Sequence, residues 1–115
     1  MGESAFDCEG ALRLANGDRA RLREILGDFL LNTPQQIARL KQACAGGDLL
    51  SAAECAQMLR QAARICAAAD LDQLSEVTES AARSGRQEET ISAADKLHVA
   101  WMVLERQIRE YLESV

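Results

Sequence analysis

The chain has 115 residues, which is enough for one domain with a single hydrophobic core and no stabilising cross-links. Alanine and leucine are abundant and only one proline is present, so the composition favours helix over sheet. The net charge of −5 argues against a nucleic-acid partner, because neutralising phosphates requires clustered lysine and arginine.

The first half of the chain predicts two helices. Residues 6–15 form a short one, ended by Asn16 and Gly17, a pair that favours the left-handed conformation. Asp18 is placed to cap a long second helix, and Pro34 predicts that this helix is interrupted or kinked. Apolar residues recur along it at three- and four-residue spacing: Leu22, Ile25, Leu26, Phe29, Leu30, Ile37, Leu40 and Cys44.

Three more helices are predicted after Gly46 and Gly47. One begins at Asp48 as N-cap and runs to about residue 67, and the next begins near Asp70 and ends before Ser84 and Gly85. The fourth helix of the chain carries Leu71, Leu74, Val77 and Ala81 on its apolar stripe. The last and longest carries a coiled-coil-like seam of Ile91, Ala94, Leu97, Trp101, Leu104, Ile108 and Tyr111.

Short connections make consecutive helices pack antiparallel. We therefore predict an all-α fold in one domain spanning residues 1–115: an up-down antiparallel four-helix bundle with a short N-terminal helix laid across one end. The predicted core comprises Leu26, Phe29, Leu40, Leu59, Leu74, Trp101 and Leu104.

The segment from Asp48 to Leu71 resembles the signature helix of histidine-containing phosphotransfer (HPt) domains. In that family the helix starts with an acidic residue. Further along come, in consecutive positions, an alanine, the phosphoryl-accepting histidine, any residue, leucine, lysine and glycine. Small residues follow, and a leucine lies fourteen positions after the histidine. The residues that match in register are Asp48, Ala56, Leu59, Ala62, Ala63 and Leu71. The residues that depart are Gln57 for the histidine, Arg60 for the lysine and Gln61 for the glycine.

The resemblance extends over nearly the whole chain, and it implies the same bundle and a place in a bacterial two-component phosphorelay. It also implies a docking surface for the receiver domain of a response regulator or hybrid sensor kinase, or for another histidine-kinase component. On a helix, Gln57 shares a face with residues one turn before and after it, and we expect Gln57 to be exposed to solvent. The predicted partner-binding residues are Ala53, Gln57, Arg60, Gln61 and Arg64.

Gln57 cannot perform the phosphoryl transfer that the histidine performs in the family. Phosphoryl transfer needs an imidazole nitrogen with an available lone pair, whereas the nitrogen lone pair of a carboxamide is delocalised into its carbonyl. No catalytic residue is therefore assigned. Arg60 would keep the positive charge of the lysine, with Arg64 reinforcing it. Gln61 would fill space that glycine leaves beside the imidazole.

Three hypotheses remain open at the level of sequence. The chain is a naturally degenerate HPt-like module that binds its partner without carrying phosphate, which Gln61 favours, since a deliberate knockout would leave the glycine intact. Alternatively, it is an active phosphocarrier that uses His98 or whose histidine was deliberately replaced by Gln57. The third hypothesis is a purely structural helical adaptor.

The remaining reactive side chains indicate no further site. We expect His98 to be a partly exposed structural histidine. The carboxylates Glu76, Glu79, Glu88 and Glu89 are expected on solvated faces, without a catalytic role. Cys8, Cys44, Cys55 and Cys66 form no C-x-x-C motif.

These patterns also set expectations for cofactors and location. A zinc site is not expected with a single histidine, and we assign no metal and no cofactor. The cysteines are expected to be reduced and buried, in a cytoplasmic protein. No apolar run approaches the roughly 20 residues of a membrane span, and the first residues contain neither segment of a secretory signal.

Overall fold

A computed structural model describes residues 6–114; the start of the chain, where no secretory signal is expected, lies outside this range. The described part contains no strand, which confirms the all-α prediction. Its five helices are α1 (Cys8–Leu14), α2 (Arg19–Ala45), α3 (Leu49–Ile65), α4 (Ala69–Arg83) and α5 (Gln87–Ser114).

Aspartates begin the first three helices. The side chain of Asp18 accepts a hydrogen bond from the Arg21 amide, and that of Asp48 accepts one from the Ser51 amide. Each carboxylate satisfies an amide that has no partner within its helix, so both predicted N-caps are confirmed. Asp7 caps α1 in the same way, whereas Ala68 precedes α4 without a side-chain cap.

The predicted helix ends lie where glycine permits a left-handed turn. Gly17, Gly47 and Gly85 have φ values of 76°, 73° and 75°, a region that side chains with a Cβ rarely adopt. The turn between α3 and α4 differs, because Ala67 adopts φ 56°. This turn follows Ile65, the last residue of α3, so the helix is shorter than predicted.

The predicted break at Pro34 is absent, since α2 continues through this residue. Proline removes one hydrogen bond from a helix interior, but Thr33 and Ile37 on either side are both buried. Tertiary packing of a long apolar stripe supplies most of the stability of a helix in a protein. Burial along α2 therefore outweighs the local preference of proline.

Contacts between side chains establish the antiparallel order of the bundle. Arg23, near the start of α2, donates a hydrogen bond to the Leu112 carbonyl near the end of α5. At the other end of the same pair of helices, Lys41 lies 3.8 Å from Asp95. Helices α3 and α5 each pack against both α2 and α4. The four long helices thus form a closed ring, as an up-down bundle requires.

The short N-terminal helix lies at one end of this ring. The Phe6 ring packs edge-on against Tyr111 near the end of α5, with ring centroids 5.4 Å apart. The Phe6 amide donates a hydrogen bond of 3.0 Å to the Gln107 side chain. These contacts fix the chain before α1 against the end of the bundle that carries the C-terminus of α5.

Six of the seven predicted core residues are buried, but the inward face of α4 differs from the prediction. Leu74 is only partly buried, and Val77 is exposed. Ser75 and Thr78 are buried instead, and the Thr78 hydroxyl donates to the Leu74 carbonyl. A hydroxyl that bonds its own helix can be buried at little cost.

The seam of α5 begins later than predicted, because Ile91 is exposed and Thr90 beside it is buried. The Thr90 hydroxyl donates to the Arg86 carbonyl, which satisfies it within the helix.

Within residues 6–114, no helix has both the length and the apolar composition that a membrane crossing demands.

Candidate functional site

The residues predicted from the HPt resemblance lie on the outer side of α3, with one exception. Gln61 and Arg64 are exposed, whereas Gln57 and Arg60 are partly buried. Gln57 is therefore less exposed than expected. Ala53 is 0% exposed, so its prediction as a surface contact is wrong: its short side chain lies beside Ala52 and Ala56 within the packed side of the helix.

The opposite side of α3 faces the core as predicted. Ala56, Leu59, Ala63 and Cys66 are all buried. The two alanines in this stripe allow the backbone of α3 to pack close to its neighbours, because their side chains end at Cβ. The N-cap at Asp48 and this inward stripe together fix the rotation of α3 and place Gln57 midway along it, facing the edge of α4.

Gln57 is held by a hydrogen bond across the α3–α4 interface. Its Oε1 accepts from Nη2 of Arg83 at 3.3 Å. Arg83 lies in the last turn of α4, which the antiparallel packing brings opposite the middle of α3. The carboxamide is thereby oriented by Arg83, whose role was not predicted from the sequence.

A buried carboxylate connects this bond to Arg60. Glu79 Oε1 lies 3.2 Å from Nη1 of Arg60, and Glu79 Oε2 accepts from Nε of Arg83 at 2.9 Å. The Glu79 side chain is only 11% exposed, so its expected position on a solvated face is wrong. Burial of a carboxylate requires cationic partners, and here the two arginines provide them.

Gln57, Arg60, Glu79 and Arg83 are hereafter called the α3–α4 cluster. Arg64 lies one turn beyond it and pairs with Asp72 of α4, with Nε 3.2 Å from Oδ2. This pair is more exposed than the cluster, so solvent screens it more strongly. Along α3, the cationic side chains thus change from partly buried at Arg60 to exposed at Arg64.

Exposed apolar side chains continue the surface along α3. Leu50, Met58 and Ile65 are 66%, 53% and 56% exposed, and Glu54 and Gln61 lie between them at helical spacing. These three residues were not predicted from the sequence. They could have been found from the sequence, because each is an apolar residue outside the buried stripe of α3, at a position where a polar residue is usual.

The α3–α4 cluster offers a partner no accessible group for covalent phosphoryl transfer, because its one carboxylate, Glu79, has a side chain only 11% exposed between two arginines. A carboxamide is not a nucleophile, and arginine donates hydrogen bonds without accepting them. What the arrangement offers is hydrogen-bond donors and positive charge at a partly exposed position. Such groups bind carboxylate or phosphoryl oxygens.

The cysteines provide no alternative nucleophile within the bundle. Burial raises the pKa of the Cys66 thiol to about 12, and burial is also the main cause that raises the pKa of Cys44 and Cys55. These thiols therefore remain protonated at neutral pH, and a protonated thiol is a poor nucleophile. The expectation that every cysteine is buried is confirmed for Cys44 and Cys66 only, because Cys8 is exposed and Cys55 is partly buried.

His98 lies between α2 and α5, away from the α3–α4 cluster. Its Nδ1 is 2.9 Å from Nζ of Lys41, and the lysine also lies near Asp95. The ring is partly buried, which confirms the expected partial exposure. Across residues 6–114, no group of three or more histidine, cysteine, aspartate or glutamate side chains is arranged to hold a metal ion.

Glu79 should contribute more to stability than a surface carboxylate. Replacing it with alanine leaves Arg60, whose side chain is 24% exposed, without its partner and close to a second cation. We expect Glu79→Ala to lower the free energy of unfolding by about 1.5–3 kcal/mol, measured by urea denaturation. The matched control is Glu105→Ala, which removes an exposed pair with Arg109 and should cost less than about 1 kcal/mol. Equal losses would show that the cluster is no stronger than a surface ion pair.

Comparison of the chain with protein-family models, with curated proteins and with solved structures finds no match in any of the three. The HPt resemblance therefore remains a hypothesis based on the residues from Asp48 to Leu71.

Proposed function

We propose that the chain is an HPt-like module of a bacterial two-component phosphorelay, which binds a receiver domain or histidine-kinase component without accepting phosphate. The observation that carries this proposal is Gln57, which occupies the phosphohistidine position in the register from Asp48 to Leu71. In a working HPt domain this position must reach the partner, and Gln57 is partly exposed midway along α3.

The packing around the register supports the proposal. Leu59, Ala63 and Leu71 match the family pattern at apolar positions, and all three are buried. Residues that define the pattern therefore also hold α3 in the bundle, while the intervening positions remain available to a partner.

The composition of the outer surface supports a protein partner with an acidic pocket. Arg64 and Arg83 supply exposed or half-exposed positive charge, and Met58 and Ile65 supply apolar area nearby. A partly apolar centre with arginine at its margin is typical of protein interfaces. Receiver domains carry an acidic pocket at the phosphorylated aspartate, and we propose that this pocket meets the arginines. Because receivers act in the cytoplasm, we also propose that location.

Arg64 offers the clearest test of this docking surface. Arg64→Glu should slow association with a receiver by about tenfold at low salt, because exposed charges steer diffusional encounter. The difference should shrink at high salt, where charges are screened over less than about 8–10 Å. Stopped-flow measurement at two salt concentrations gives both rates.

The matched control is Arg109→Glu on α5. Arg64 and Arg109 are 61% and 58% exposed, and each lies 3.2 Å from a carboxylate of its own molecule. Equal slowing by the two reversals would place the docking surface elsewhere. Arg60 is a poorer probe, because a glutamate there would face the buried carboxylate of Glu79 and destabilise the fold.

A further inference from the structure

The orientation of the Gln57 amide determines what it presents to a partner. Arginine can only donate hydrogen bonds, so the atom that faces Nη2 of Arg83 at 3.3 Å must be the carbonyl oxygen of Gln57. The two N–H groups of Nε2 therefore face away from Arg83. Nε2 makes no hydrogen bond with any residue in the described part of the protein, and it is not among the buried polar atoms that lack a partner. It remains accessible as a donor.

The α3–α4 cluster carries a net positive charge. The single carboxylate of Glu79 lies between two guanidinium groups, those of Arg60 and Arg83. One positive charge is therefore left uncompensated within the α3–α4 cluster. The Arg83 side chain is 46% exposed, so much of this excess charge can reach a bound group.

We propose that the α3–α4 cluster recognises the phosphorylated state of its receiver partner, with Gln57 Nε2 donating a hydrogen bond to a phosphoryl oxygen on the receiver aspartate. This inference rests on the proposed function. No bond is formed or broken: the phosphoryl group stays on the aspartate, and Arg83 supplies positive charge beside it. Histidine at position 57 would accept the group, whereas glutamine binds it.

Preference for the phosphorylated receiver follows from the chemistry of the two states. A phosphoryl group extends beyond the aspartate and offers three acceptor oxygens and about two negative charges. The unmodified carboxylate is shorter and carries less charge. Both states offer a charged acceptor, so the preference comes from the longer reach of the phosphoryl group and from its additional negative charge beside the arginines. The phosphorylated receiver should consequently bind about tenfold more tightly.

The first experiment uses inorganic phosphate as the probe and the full chain, labelled with ¹⁵N. Titration at constant ionic strength should produce saturable shifts of the Gln57 side-chain amide and of the Arg83 Nε signal, which chloride does not produce. Gln57→Glu, which removes the donor and adds a negative charge, should weaken the Arg83 response at least about fivefold. Gln42→Glu adds the same charge at an exposed position of α2 and should leave it unchanged. Identical responses to phosphate and chloride would overturn the inference.

The second experiment separates this inference from the function on which it rests. Each receiver domain of the organism that encodes the chain is titrated with and without beryllofluoride, which mimics aspartyl phosphate. We expect at least one receiver to bind about tenfold more tightly when activated, and the ratio to fall towards one for Gln57→Glu but not for Gln42→Glu. Equal binding of both states would overturn the inference and leave the proposed function intact. Binding by no receiver in either state would overturn the proposed function itself.

Discussion

Gln57→His should convert the chain from one that takes up no phosphoryl group into one that does. The position is partly exposed on α3 and its carbonyl accepts a hydrogen bond from the half-exposed Arg83, so we expect an imidazole to fit without rearranging the core. Gln61, one turn along, is exposed and occupies the space that glycine leaves open in the family. The double variant Gln57→His with Gln61→Gly should therefore react faster than the single one, by about tenfold, which corresponds to about 1.4 kcal/mol in the barrier.

Incubation with phosphorylated receivers, followed by measurement of acid-labile phosphate on the chain, compares the variants directly. The ratio of the rates of the double and single variants gives the effect of position 61 when histidine is present at position 57. Gln61→His is the matched control, because it places a histidine on the same exposed face outside the family register and should remain unphosphorylated. If neither variant with His at position 57 takes up phosphate from any receiver, the resemblance extends to shape alone.

Leu59→Ala should lower the free energy of unfolding by about 2–5 kcal/mol. Leu59 is 1% exposed and lies on the inward side of α3, so its truncation removes buried methyl groups and leaves a cavity. Met58, its neighbour, is 53% exposed, and Met58→Ala should change the free energy by less than about 0.5 kcal/mol. Urea denaturation of both variants gives the comparison, and similar losses would show that the rotation of α3 differs from the one described.

The positions of the helices could be predicted because their signals are local. Asp18 and Asp48 provide side-chain acceptors at helix starts, and Gly17, Gly47 and Gly85 permit left-handed turns at helix ends. Each of these effects depends on a few neighbouring residues. Of the two outcomes predicted at Pro34, the interruption is absent, because burial on both sides of this residue outweighs its local preference.

The inward faces of α4 and α5 were harder to predict. Ser75, Thr78 and Thr90 are buried, while Val77 and Ile91 are exposed. Apolar spacing alone places valine and isoleucine inside. Two of the hydroxyl residues instead satisfy their polar groups within their own helix, which removes much of the cost of burial, and sequence spacing gives no measure of that compensation.

Only the α3 residues of the candidate site could be predicted from the sequence. The register from Asp48 to Leu71 selected Gln57, Arg60, Gln61 and Arg64 on α3. Glu79 and Arg83 were missed because their roles depend on how α4 packs against α3, and spacing within α4 reveals only that these two residues can pair with each other. Pairing between helices requires the tertiary arrangement.

The most direct test of the proposed function measures binding and phosphate on the same complex. The unmodified chain is incubated with each phosphorylated receiver of its organism, the complex is isolated, and the phosphate on each component is determined. We predict that at least one receiver forms a complex in which all acid-labile phosphate remains on the receiver. Acid-labile phosphate on the unmodified chain, at His98 or elsewhere, would contradict the account, and so would the absence of a complex with every receiver.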